Sequence, residues 1–138
     1  MALTKQAALG EISISNMVFA QIIFEGMRLP ECRGKIWPAT PRGRQIGIVP
    51  KYIDTEFSMY IDVDFNEEGR VELEFSVITL FGISIKRTTK HLADYIAGAF
   101  VKYSGRTPAA ITINIAGVRS RHKARRNTKV VYRYEDNG

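Results

Sequence analysis

The sequence predicts a two-layer α+β sandwich, a mixed or antiparallel sheet with two helices packed on one of its faces. Three observations carry this. Residues 18–29 and 85–104 repeat apolar side chains at helical spacing. Between them, 59–65 and 70–81 alternate apolar with polar residues on either side of a short polar turn, so one face of the hairpin is acidic and the other apolar. A final alternating run, 107–118, is long enough for a central strand.

Element by element, Glu11 to Ser15 reads EISIS, whose strict alternation puts Ile12 and Ile14 on one face of a short strand. Ser15 or Asn16 then offers an N-cap oxygen to a helix striped by Val18, Phe19, Ile22, Ile23, Gly26 and Met27. That helix is expected to end at Leu29, because Pro30 disfavours helical backbone in the residue before it. Residues 30–57 hold four prolines and several glycines, and allow only short extended pieces at 35–37 and 45–49. In the hairpin, Met59, Ile61, Val63 and Phe65 oppose Tyr60, Asp62 and Asp64, and Val71, Leu73, Phe75 and Val77 oppose Glu72, Glu74 and Ser76. Asn66 to Gly69 forms the turn. Beyond Ser76 both faces turn apolar, as in a strand entering a sheet interior. Ser84 caps the second helix, whose stripe is Ile85, Leu92, Tyr95, Ile96, Ala99 and Tyr103, and Gly105 suits its left-handed C-cap. Ile111, Ile113 and Ile115 alternate with Thr112 and Asn114 in the last strand.

A chain of 138 residues accommodates one domain. We assign it to residues 1–118, with 30–57 irregular or inserted, followed by a basic C-terminal extension, 119–138. The 45% hydrophobic and 25% charged fractions suit one soluble core and exclude collagen-like, coiled-coil-only and wholly disordered chains. Cys32 is the one cysteine, so no internal disulfide forms and a reducing cytoplasm is the natural compartment. The first ten residues lack the apolar core of a secretory signal. The longest apolar run, Val77 to Ile85, is broken by Thr79, Gly82 and Ser84 and falls short of the ~20 residues that span a bilayer.

Fragments of several catalytic and metal-binding motifs occur in the chain. Gly82-Ile83-Ser84-Ile85-Lys86 has the strand–turn–helix context of a nucleophile elbow, but its final glycine is replaced by lysine. His91 lies two turns along the same helix and His122 in the tail, so Ser84 reads as a cap and no catalytic residue is assigned. Asp62-x-Asp64-x-Asn66 opens like a calcium loop, yet Glu67 and Leu73 occupy the positions that need glycine and a bidentate acid. One cysteine and two histidines at no ligand spacing argue against a zinc site, and no glycine-rich phosphate loop occurs. The expectation is a non-enzymatic chain with no cofactor and no metal.

What stands out is charge. The net +6 is concentrated in the tail, where Arg119, Arg121, Lys123, Arg125, Arg126, Lys129 and Arg133 face only Glu135 and Asp136. Three readings of the tail stay open: it binds nucleic-acid phosphates, docks on an anionic leaflet, or is a solvated, partly disordered end. Tyr132 and Tyr134 suit an edge strand as well as a base-stacking platform. The acidic hairpin face, Asp62, Asp64, Glu72 and Glu74, and the basic tail are candidate contact surfaces of opposite sign, able to meet head to tail between copies.

Three blocks resemble the alkaline shock, or envelope stress response, proteins of Gram-positive bacteria. Gly10-Glu11-Ile12-Ser13-Ile14-Ser15 with Val18 and Ile22 is similar to the family's opening strand and helix. Val71 to Val77 leading to Phe81-Gly82-Ile83-Ser84-Ile85 looks like its strand and Y-G-x-x-I turn, with phenylalanine for tyrosine. Ser104-Gly105 with Ile111 to Val118 resembles its closing strand. The resemblance covers roughly residues 10–28 and 58–118, and departs from the family in 29–57 and in the basic tail. It implies a non-enzymatic cytoplasmic scaffold that self-associates and clusters at the inner face of the membrane through a membrane-anchored partner. An RNA-binding domain using the tail is the alternative.

Overall fold

The structure, a computed structural model, describes residues 2–7, 10–46, 53–119 and 124–135. The chain runs β1 (Ala2–Ala7), β2 (Gly10–Ser15), α1 (Asn16–Met27), β3 (Ile36–Ala39), α2 (Ile53–Ser58), β4 (Asp62–Phe65), β5 (Val71–Leu80), α3 (Ile85–Ser104), β6 (Ala110–Arg119) and β7 (Ala124–Arg133). Five strands form one mixed sheet, so the predicted fold class is the observed one.

The sheet is ordered β3–β5–β6–β7, with β4 also on β5. β4 pairs with residues 71–74 of β5 and β3 with residues 76–79, both antiparallel, so the two short strands flank one long strand in succession. β5 and β6 are parallel and joined through α3; β7 returns antiparallel to β6. The hairpin turn is built as its residues suggest. Asn66 Oδ1 accepts from the amides of Glu68 and Arg70, and Gly69 adopts φ 77, which favours glycine.

One face of the sheet carries the core. Val71, Leu73, Phe75 and Val77 of β5 and Ile111, Ile113 and Ile115 of β6 pack against Phe19, Ile22 and Ile23 of α1 and Leu92, Ile96 and Phe100 of α3. Phe19 and Phe100 stack at 5.7 Å between the helices, and Gly26 lets them close up, since a Cβ there would sit 2.6 Å from Leu92 Cδ1. The caps of α3 form as expected: Ser84 Oγ accepts from the Arg87 amide at 3.2 Å, and Gly105, at φ 78, donates to the Val101 carbonyl.

The structure departs from expectation in five places. β2 does not join the main sheet; it pairs with β1, a strand not expected from the sequence. A third helix, α2, occupies 53–58 and its last turn displaces the start of the predicted strand. Met59, expected on the buried side, is 75% exposed, and pairing begins only at Asp62. Phe57 of α2 is buried against Phe24 and Phe75, which explains why a helix fits there. α1 ends at Met27 instead of Leu29. Its Asn16 spends its side chain on the Ser58 and Ile61 carbonyls at the end of α2, away from its own helix start.

The fourth departure is the phase of α3. Leu92 and Ile96 are buried as expected, but Thr88, Thr89, Ala93, Ala97 and Phe100 complete the stripe and Tyr103 is exposed. Alanine and threonine barely register in a hydrophobic pattern, yet their small size is what seats the helix close to the sheet. Finally, 107–118 is not the last strand, because residues 124–133 of the tail continue the sheet. Of the short extended pieces, 36–39 becomes β3 and Gln45 bridges Ala39, while 47–49 lie outside the described residues. Among the described residues, no helix is long and apolar enough to cross a membrane.

Candidate interaction surface

The sheet face opposite the helices carries the charge, and register places it row by row. Asp64, Glu72, Ala110 and Arg133 lie in one row across β4, β5, β6 and β7; Asp62, Glu74, Thr112 and Val131 form the next; Ser76, Asn114 and Lys129 follow. Carboxylates therefore stand on one flank and cations on the other, separated by the small side chains of β6. Because Ala110 and Thr112 leave space between them, these residues line a groove of about 300 Å³ with Asp62, Asp64, Glu72, Glu74 and Arg133 on its walls.

Part of this charge is already matched inside one chain. Lys129 Nζ meets Glu74 Oε2 at 3.0 Å, reaching over β6. Both groups are well exposed, so the pair contributes at most about 1 kcal/mol. Its consequence is positional: Lys129 and Glu74 hold each other, and Asp62, Asp64 and Arg133 remain as the exposed charges of the groove. Among the described residues, no group of three His, Cys, Asp or Glu side chains has the arrangement of a metal site, the four hairpin carboxylates included.

The tail's remaining cations divide. Arg119 ends β6 and places its guanidinium 5.0 Å from the centre of the Trp37 ring. Arg125 and Arg126 belong to β7, with Arg125 opposite Gly117. Arg121 and Lys123 lie outside the described residues. Tyr132 and Tyr134, which suited a strand or a stacking platform, are turned to the core side. The Tyr132 hydroxyl lies 2.6 Å from Thr89 Oγ1 and donates to the Lys86 carbonyl, while Tyr134 donates to Asp94 at 3.0 Å. Rings bonded into α3 are not free to stack on bases.

Arg70 is a site residue that sequence reading missed. Only 8% exposed, its guanidinium donates to the Thr107 and Pro108 carbonyls, to Thr107 Oγ1 and, at 2.8 Å, to the Tyr134 carbonyl. It ties the start of β5 to the β6 entry loop and the end of β7. Its only signal in the sequence was a cation at the buried end of a hairpin turn.

Ser84 is committed to capping α3, and His91 is exposed farther along that helix. The thiol of Cys32 is buried, donating to the Thr88 carbonyl at 3.6 Å. Burial, with the Glu31 carboxylate adding to it, pushes this thiol from 9.0 up to about 11, so it stays protonated and a poor nucleophile. Burial also raises Tyr134, helped by its bond to Asp94, and Tyr95, helped by Glu25. All three ionise more readily unfolded than folded. The stability they contribute is therefore whole below pH 9 and is lost as pH rises toward 11 and beyond. The urea midpoint is expected to fall over this range, and Cys32→Ala to flatten part of the fall; equal slopes in the two proteins would remove Cys32 as a source.

Compared with protein-family models, with curated proteins and with solved structures, the chain gives no match. The likeness to envelope stress response proteins thus rests on its three sequence blocks.

Proposed function

We propose that this chain is a non-enzymatic binding module of the cytoplasm. It is a scaffold that associates with copies of itself and with a membrane-anchored protein at the inner face of the membrane, as the family its three blocks resemble would suggest. The observation that supports self-association is the separation of charge across the hairpin end of one sheet face. Asp62 and Asp64 project from the β4 flank and Arg133 from the β7 flank. Opposite signs on opposite flanks favour a heterologous, head-to-tail contact, which propagates instead of closing on itself. The internal Glu74–Lys129 pair supplies a geometry that a neighbouring chain's Asp62 or Asp64 can repeat with Arg133.

Sedimentation velocity over a salt series tests this. Species larger than a monomer are expected at low salt and a monomer at molar salt, where charges farther apart than about 3 Å are screened. Asp62→Lys with Asp64→Lys is expected to hold the chain monomeric throughout. A wild-type monomer at every salt concentration removes charge-driven assembly. A pull-down from the native cell addresses the partner: a membrane-anchored protein supports the scaffold, and recovery of RNA alone replaces it with the nucleic-acid alternative.

A further inference from the structure

The far end of the sheet, away from the acidic hairpin, combines exposed apolar side chains with cations in a way that the charged groove does not. β5 ends in Leu80, 37% exposed, and Phe81 follows at 73% on the turn made by Gly82 at φ 88. Hydrogen bonds hold this pair between cationic neighbours: the Leu80 amide donates to the Lys35 carbonyl and the Phe81 amide to the Arg119 carbonyl. Lys86 and Arg87 open α3 a few residues on, both exposed, and Arg119 rests over Trp37. In the flanking stretch 31–37, Glu31 is the only carboxylate.

We propose that this end of the molecule docks on a bilayer surface bearing anionic headgroups, Phe81 and Leu80 entering the interface while Lys35, Lys86, Arg87 and Arg119 meet the phosphates. Charge complementarity selects the occupant. An exposed large aromatic side chain beside an aliphatic one costs hydration, and a bilayer interface relieves it for both, whereas a nucleic acid stacks on the ring and gains nothing from leucine. Of the aromatic rings at this end, Trp37 already has a face covered by Arg119. Neither term is sufficient alone. One shallow apolar anchor gives marginal binding, and a few cations give salt-sensitive binding, so reversible attachment needs both. The inference does not rest on the self-association proposed above, whose residues lie at the other end of β5.

Vesicle flotation tests it, with phosphatidylcholine alone or mixed with phosphatidylglycerol. Wild type is expected to float with the anionic vesicles only, and to be released at high salt. Phe81→Ser should weaken partitioning about tenfold, Leu80→Ser by less, and Arg119→Gln by about fivefold. Phe81→Trp should restore binding, a rescue that a purely structural role for the turn does not predict. Because Phe81 is so exposed, its variants are expected to melt with the wild type. Equal partitioning into neutral and anionic vesicles, wild-type partitioning by both Phe81→Ser and Leu80→Ser, or tighter Phe81-dependent binding to single-stranded RNA than to vesicles would each overturn the proposal.

Discussion

Deleting residues 120–138 is expected to abolish cooperative folding, although by composition these residues look like a disposable charged tail. The deletion removes β7, and with it the partner of β6 along Ala110 to Val118. It strips Val130, Tyr132 and Tyr134 from the core, takes the hydroxyl contacts that join them to Thr89, Lys86 and Asp94, and leaves Arg70 without its shortest acceptor. Three partly buried side chains at somewhat under the 1.5–3 kcal/mol of full burial, plus those hydrogen bonds, amount to about 5 kcal/mol. That is the whole stability of a marginal domain, roughly 5–15 kcal/mol. Circular dichroism on heating reads the result. A truncated chain that still melts cooperatively near the wild-type temperature would show that β7 is an accessory strand. Charge removal within the full chain is the contrasting experiment: Lys129→Gln, which breaks the pair with Glu74, should cost no more than about 1 kcal/mol and Arg133→Gln about 0.5 kcal/mol or less, both side chains being exposed. For this reason tests of the tail's binding role belong on charge variants, not on truncations.

Arg70→Met is expected to cost about 3 kcal/mol, the largest single-residue effect at the polar end of the sheet. The substitution keeps an apolar stem but leaves the Thr107, Pro108 and Tyr134 carbonyls without their donor, and an unmet buried polar group costs about 1–3 kcal/mol. In a chain of this length that lowers the melting temperature by roughly 10 °C. Arg70→Lys should recover only part of the loss, because an ammonium is a point donor and cannot span three acceptors as a planar guanidinium does. Hydrogen exchange supplies the site-specific readout. Amides of β7 should lose protection in Arg70→Met before those of α1 do, since the hydrogen bonds of the arginine fasten the β6 entry loop and the end of β7. Uniform loss across the sheet, or no change in melting, would contradict the role given to Arg70 as the fastener of the C-terminal strand.

Much of the fold could be read locally. Ser84 and Gly105 mark the ends of α3 because capping depends on a few consecutive residues, and Asn66 to Gly69 mark the hairpin for the same reason. The buried run from Ser76 to Thr79 announced an interior strand. What could not be read depends on neighbours distant in sequence. α2 is held by Phe57 against Phe24 and Phe75, a contact no window around 53–58 contains. The phase of α3 is set by Phe100 and by alanines and threonines that fit the sheet, whereas Tyr95 and Tyr103 in the expected stripe pointed to a rotated face.

The candidate surface divides in the same way. By itself the sequence determined the amounts and faces of charge: four carboxylates on the polar side of a hairpin, and cations crowded after residue 118. Strand order decided the rest. Alternation places a side chain on a face of the sheet but says nothing about which strand lies beside which, because pairing is a long-range choice among edges of similar local pattern. With β6 between β5 and β7, the carboxylates and the cations share one face with a groove between them, Glu74 and Lys129 neutralise each other, and a segment that reads as a charged appendage becomes a strand on which the core depends.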